Sequence, residues 1–348
     1  MSSSPDASTT EAPTASSPLS RRSFLKTAGA GASAFTVVPR EVLGGPGHTP
    51  PSEKLNIAAI GAGGKGASDI DGVSSEHIYA LCDVDREEAA ETFAAYPDAK
   101  QYVDYREMLE AEAGQIDAVT VSVPDHNHAA ASIMAMERGL PVFCQKPLTR
   151  TIWEARRMAE VAEEQGVATH MGIQGHANDG MREAREWIEA GVIGPVREVH
   201  IWTNRPHPYW EQGFEDRPLE AFHVPEHLNW DLWLGTAPER PYHPQYHPEE
   251  WRGWWAFGTG ALGDIGCHAM DASFWALQLG APSRVVAQTT PVSEESPPLN
   301  SRIVYDFPAR HGRPETRLVW TDGRLAPPRP EVLEHDRPWP PMDSGQLY

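Results

Sequence analysis

The first place in the chain where residue spacing suggests chemistry is the hexapeptide Gly61-Ala62-Gly63-Gly64-Lys65-Gly66. Gly61, Gly63 and Gly66 satisfy G-x-G-x-x-G, with Gly64 among them, and Asp83 follows 22 residues after Gly61. Alone, such glycines specify a tight turn. Set between a strand-like run (55–60) and a helical pattern, they predict a loop whose backbone approaches a pyrophosphate, with the field of a helix N-terminus favouring the negative charge. Asp83 ends the next strand-like run, where it would accept hydrogen bonds from ribose hydroxyls and repel a 2′-phosphate. NAD is therefore expected over NADP. A Walker-type loop does not fit, because Gly64-Lys65 is followed by Gly66 where Ser or Thr is required.

These groups need a scaffold. Strand-like runs at 55–60, 78–82, 118–123, 142–144 and 168–173 alternate with helical patterns at 86–95, 105–113, 128–139 and 152–165. Such alternation predicts a doubly wound parallel sheet, a Rossmann domain over 55–173. Ligands of such sheets bind outside the carboxyl ends of the strands. Three polar clusters lie there: Pro124-Asp125-His126-Asn127-His128, Gln145-Lys146-Pro147 and Gln174-Gly175-His176. Several of these groups should face one crevice, although the histidines could equally cap helices and bond loops. Pro124 and His128 are expected beside the cofactor, and Gln174 and His176 beside the substrate.

Past residue 174 the pattern changes. A helix is expected at 181–190, a strand at 196–203, a long loop rich in Pro, Trp and His at 204–253, a helix at 261–279, and strands at 284–290, 302–307 and 316–321. This predicts an α+β substrate and oligomerisation domain over 174–348 with a largely antiparallel sheet. Nine of the twelve tryptophans lie between Trp187 and Trp275. Most should build core or interface, and one or two can stack on a sugar. The pairs His223/His227 and His243/His247 have i,i+4 spacing but sit in proline-containing loops, so no metal is expected.

Bulk composition sets outer limits. A chain of 348 residues is long enough for two domains. Its net charge of −20 disfavours nucleic acid and anionic membrane surfaces as partners. Three cysteines, Cys82, Cys144 and Cys267, make no disulfide framework and read as small buried apolar residues. Residues 1–38 read as a disordered tail with an export signal: Ser20-Arg21-Arg22-Ser23-Phe24-Leu25-Lys26 precedes a short apolar run and resembles a twin-arginine signal. That run is too short to span a membrane, which takes about 20 residues, so no stable membrane anchoring is expected. Residues 39–54 read as a linker. The expected partner is the twin-arginine export machinery, and the expected location periplasmic or extracellular.

Taken together, the motifs resemble the glucose–fructose oxidoreductase / inositol dehydrogenase family, also called Gfo/Idh/MocA, over about 55–348. They are I-G-A-G-G-K-G (60–66), C-D-V-D (82–85), P-D-H-N-H (124–128), Q-K-P-L-T (145–149), W-D-L-W-L-G (230–235), E-R-P-Y-H-P (239–244) and W-R-G-W-W-A-F-G-T-G-A-L-G-D-I-G-C-H (251–268). The resemblance implies an enzyme that moves a hydride between a sugar or polyol and NAD, with Lys146, Asp264 and His268 over the nicotinamide and Lys146 also touching the cofactor. Asp264 and His268, at i and i+4, would share a helix face. Histidine suits a base for the carbinol proton near neutrality. Lys146, the last of only five lysines, can stabilise alkoxide character on the same oxygen. Arg252 and Trp254 join Gln174 and His176 as candidates for substrate contact. The family's usual E-K-P stands here as Gln145-Lys146-Pro147, which loses a carboxylate beside the lysine. The family also implies a cis Lys146–Pro147 bond, homo-oligomers formed through the second domain, and further chain after Tyr348, so the chain is expected to be truncated. Two alternatives stay open: a glycosidase that oxidises its sugar transiently on a held NAD, and a non-catalytic sugar-binding protein with a vestigial nucleotide fold.

Overall fold

The computed structural model of the chain describes residues 50, 53–340 and 343–348. The export signal expected within 1–38 lies outside the described residues. Six short strands form one all-parallel sheet: β1 (Asn56–Ile60), β2 (His77–Cys82), β3 (Lys100–Tyr102), β4 (Ala118–Val121), β5 (Val142–Gln145) and β6 (Thr169–Gly172). Their order is β3-β2-β1-β4-β5-β6. Succession reverses between β1 and β4, which opens a crevice at their carboxyl ends. β1 (NIAAI) and β4 (AVTV) are each buried at every residue but the first, as central strands covered on both faces should be. β3 has no counterpart among the predicted runs: its three residues lie at the sheet edge, none of them buried, and carry no apolar signal.

Helices α1 (Lys65–Gly72), α2 (Ala90–Ala95), α3 (Tyr105–Glu112), α4 (Asp125–Met136) and α5 (Ile152–Gln165) link the strands. α5 matches its predicted bounds because its ends are marked locally: Thr151 and Glu154 form a capping box, and Gly166 closes the helix in the left-handed conformation. α4 begins at Asp125, three residues before the predicted 128, so Asp125, His126 and His128 lie on its first turn.

The rest of the chain comprises α6 (Asp179–Glu189), β7 (Glu198–Trp202), α7 (Trp230–Leu234), α8 (Gly260–Leu277), β8 (Arg284–Thr289), β9 (Ser301–Phe307), β10 (Thr316–Thr321) and β11 (Gly345–Leu347). The second sheet runs β11-β7-β10-β9-β8 and is antiparallel except at β7–β10. Ile188 of α6 and Ala276 and Leu277 of α8 pack against Val199, Ile201, Ile303, Leu318 and Trp320 of this sheet. Residues 345–347, not foreseen as structure, pair with β7, and the Tyr348 hydroxyl lies 2.9 Å from that of Ser273 on α8. The long loop 204–253 is less open than its composition suggests. Trp230, Trp233, Tyr246, Trp251 and Trp254 form a buried aromatic cluster with Phe257.

Candidate active site

The glycine loop is shaped by contacts that admit no side chain. Gly61 has φ +89°, and a Cβ there would collide with the Ser122 carbonyl; a Cβ on Gly66 would collide with the Gly61 carbonyl. Gly64, also at positive φ, faces open space. The loop closes onto Asp83, whose Oδ2 accepts hydrogen bonds from the Ala62 and Gly63 amides at 2.7 and 3.0 Å. Burial pushes the Asp83 carboxyl up; the amides of Asp85, Ala62 and Gly63 oppose this, and the net pKa stays raised. The cleft beside the loop is lined by Gly63, Asp83, Tyr105 and Pro124, and on its far side by Trp233 and His247 of the long loop.

That far wall is fastened at Asp85. The buried Asp85 carboxylate receives His247 Nε2 at 2.7 Å and His227 Nδ1 at 2.8 Å. Burial alone would raise its pKa, but hydrogen bonds from His247, the Glu88 amide, His227 and the Glu87 amide hold it well below the usual carboxylate range. One member of each i,i+4 histidine pair thus converges on a single carboxylate, and no set of three or more metal-ligating side chains gathers among the described residues. The α4 end provides a second fastening. The His126 ring lies 3.0 Å from the Trp233 carbonyl and 3.2 Å from that of Phe257, and burial pushes its pKa down to about 4.

Lys146 follows β5, its bond to Pro147 is cis, and its Nζ lies 2.7 Å from Asp264 Oδ1 on α8 and 3.1 Å from the Asp264 carbonyl. Arg252 Nε stands 3.5 Å from the same Oδ1. His268, one turn further along α8, has its pKa lowered by burial and by the charge of Lys146, so it is neutral at pH 7. Asp125 closes the group from the α4 side. Its Oδ2 accepts from the Thr259 hydroxyl at 2.8 Å, and burial together with the Asp264 charge pushes its pKa up to about 7.

Gln145 explains itself through its partner. Its Nε2 donates to both oxygens of Asp69 on α1, at 2.8 and 3.1 Å, and Asp69 also accepts from the Ser122 hydroxyl and pairs with Lys65. A glutamate at 145 would face that carboxylate and repel it. The carboxylate missing from the strand end is thus present one layer away.

The structure brings Lys146, Asp264 and His268 together, and puts Gly61, Gly63, Gly64, Asp83 and Pro124 around one cleft. Two expectations need correction. His128 does not face the cleft: it is buried, and its ring nitrogens lie 2.7 Å from the Val123 and Pro147 carbonyls, where it ties the two strand-end loops together. Trp254 is not a sugar platform: it is 1% exposed, stacked on Phe214, and its indole N–H donates to the Gln245 carbonyl. Gln174 is solvent-exposed on a turn, open to a ligand. His176 reaches α8 indirectly, through a 2.8 Å contact with Asp271. Sequence reasoning missed Thr259, Asp271 and Arg205, and named Asp125 only as one member of a strand-end polar cluster, without a role of its own. Asp271 was findable, since it falls three residues after His268 on the same helical face. Asp125 was masked by the late start predicted for α4.

Residues 55–173 match the family described as "Oxidoreductase family, NAD-binding Rossmann fold", and residues 178–307 match its partner, "Oxidoreductase family, C-terminal alpha/beta domain". An inositol 2-dehydrogenase of Corynebacterium glutamicum (strain R) is 29% identical over 150 residues, 42% of this chain and 44% of that protein. A D-xylose 1-dehydrogenase [NADP(+)] of Haloarcula marismortui is 31% identical over 121 residues, 34% of each chain. The chain therefore matches less than half the length of these curated relatives. Among solved structures, the WlbA dehydrogenase from Bordetella pertussis, in complex with NADH and UDP-GlcNAcA, superposes with a TM-score of 0.56 at 19% identity, covering 77% of this chain and 72% of that one. At that identity the likeness is one of fold.

Proposed function

The chain belongs to the Gfo/Idh/MocA oxidoreductase family, and on that premise we propose that it is an NAD-dependent oxidoreductase taking a hydride from a carbinol of a sugar, glycoside or polyol. The observation that carries this reading is the 2.7 Å contact between Lys146, at the end of β5, and Asp264, on α8. It joins the strand end beside the nucleotide cleft to the helix that carries His268. The residues fit a dinucleotide: Gly61, Gly63, Gly64 and Gly66 would hold its pyrophosphate, Asp83 its adenosine ribose, and Pro124 would line its path. A bound nicotinamide supplies the hydride acceptor. Lys146 donates a hydrogen bond to the carbinol oxygen and favours its alkoxide character. His268, neutral at pH 7, takes the hydroxyl proton. Asp264 orients Lys146 and offers its carboxylate to a sugar hydroxyl.

The test is titration of the purified chain with NAD and NADP, followed by nicotinamide absorbance against a panel of hexoses, glycosides and inositols. NAD should bind more tightly, and at least one panel member should reduce it. Absence of NAD binding overturns the reading. Release of an aglycone with no net NADH assigns the redox-neutral glycosidase in its place. Arg21 and Arg22 support export through the twin-arginine machinery to the periplasm or beyond. The exposure of Val285 and Val286 on the edge strand β8 supports self-association through the second sheet.

A further inference from the structure

The residues assigned to hydride transfer occupy only the first half of α8. Asp264, His268, Asp271 and Trp275 stand at i, i+4, i+7 and i+11 of that helix, in one stripe along its surface. Elsewhere on the helix, Ala276 and Leu277 are buried against the second sheet. Within the stripe Asp264 is buried, while His268, Asp271 and Trp275 are each only partly covered. The polar stripe therefore continues beyond the reacting groups.

The parallel sheet meets this stripe twice. Lys146, after β5, contacts Asp264. His176, on the turn after the neighbouring strand β6, places Nδ1 2.8 Å from Asp271 Oδ2. At 1.5 Å of rise per residue the two contacts stand about 10 Å apart along α8, more than the span between opposite hydroxyls of one pyranose. His176 is held from two sides. Asp271 takes the hydrogen on Nδ1, and the imidazole lies 4.3 Å from the ring of Trp275, which has the Arg185 guanidinium 4.4 Å from its centroid. Yet the His176 side chain stays 45% exposed, and its Nε2 has no partner among the described residues. With Nδ1 as donor, the neutral ring turns a lone pair outward at Nε2. So exposed a pair adds little to stability. What it does is hold an acceptor in place before a ligand arrives. Gln174, two residues earlier on the same turn, is exposed as well.

We propose that the substrate is a glycoside of at least two sugar rings, an inference that rests on the oxidoreductase reading above. The ring that gives up the hydride lies between Lys146 and His268, and His176 accepts a hydrogen bond from a hydroxyl of the second ring. The test is calorimetric titration of the full chain, with and without NADH. The ligands are the methyl glycosides of D-glucose, D-galactose and D-mannose, the disaccharides cellobiose, maltose, lactose, melibiose and mannobiose, and the phenyl glycosides of the same three sugars. A preorganised hydrogen bond should make at least one disaccharide bind about fivefold or more tightly than the methyl glycoside of its non-reducing ring. His176→Phe keeps a ring against Trp275 and removes the acceptor, so that ratio should fall to about twofold or less. A merely structural histidine would weaken both ligands together and leave the ratio unchanged, which overturns the inference. So does a wild type in which every disaccharide binds within about twofold of its methyl glycoside, in which a phenyl glycoside matches the best disaccharide, or in which no sugar binds. The wild-type comparison stands even if the variant fails to fold. Reduction of NAD by monosaccharides with no gain from a second ring sinks this inference and keeps the proposed function. A disaccharide preference in a chain that never takes up NADH does the reverse.

Discussion

The base role proposed for His268 depends on what surrounds it. Burial and the Lys146 ammonium disfavour its imidazolium, so the acid limb of kcat/KM should fall below the ordinary imidazole value of about 6.5. A pH profile whose acid limb lies above that value contradicts the assignment. General acid–base catalysis is worth about 10²–10⁴-fold, so His268→Ala and Lys146→Ala should each lower turnover by roughly that factor, and Lys146→Arg should not restore it. Turnover of any accepted sugar, with NAD affinity measured in parallel, decides this. Asp125 makes a prediction about stability. Below about pH 4 the folded and unfolded chains both hold its proton; between about pH 4 and its folded value near 7 the unfolded chain releases it first, so this carboxyl costs stability as pH rises. Asp125→Asn keeps an oxygen for the Thr259 hydroxyl and removes that cost. Its unfolding free energy should exceed the wild type by on the order of 1–3 kcal/mol at about pH 8 and match it near about pH 4. Equal stability at both pH values would show that Asp125 is ionised without penalty.

The elements that hold these residues were readable where burial and local end signals agree. β1, β2, β4 and β5 are apolar because helices cover both sheet faces, and α5 carries its own caps. β3 and β11 were not readable, because three-residue edge strands are specified by the neighbour they pair with. The tryptophan-rich loop was misjudged at Trp254 for a related reason. Sugar stacking and core packing use the same residue type, and only the partners, Phe214 and Tyr246, distinguish them. The glycine loop allows an element-level test. In Gly66→Ala the new methyl must displace the Gly61 carbonyl, moving the turn that would cradle the pyrophosphate. NAD affinity should fall by about tenfold or more, a loss of over about 1.4 kcal/mol. Retention of wild-type affinity in a titration would mean that the loop is not the phosphate site.

At the scale of the whole molecule, charge sets two further expectations. Asp83→Ser should narrow or reverse the preference for NAD over NADP, read from titrations with both nucleotides; a wild type that prefers NADP removes the role assigned to Asp83. Replacing Arg21 and Arg22 with Lys should abolish export, as judged by cell fractionation. The Asp85 fastening has a consequence for recombination. The family matches end at 173 and resume at 178, an inviting crossover point for exchanging halves between homologues. A chimera joined there would inherit Asp85 from one parent and the positions of His227 and His247 from the other. Unless that second parent carries both histidines, the hybrid keeps a deeply buried anion stripped of its two imidazole partners, and removing a partner from a buried charge costs about 3–5 kcal/mol. Viable hybrids should therefore be those whose donors match at three positions lying far apart along the chain, whatever their overall similarity.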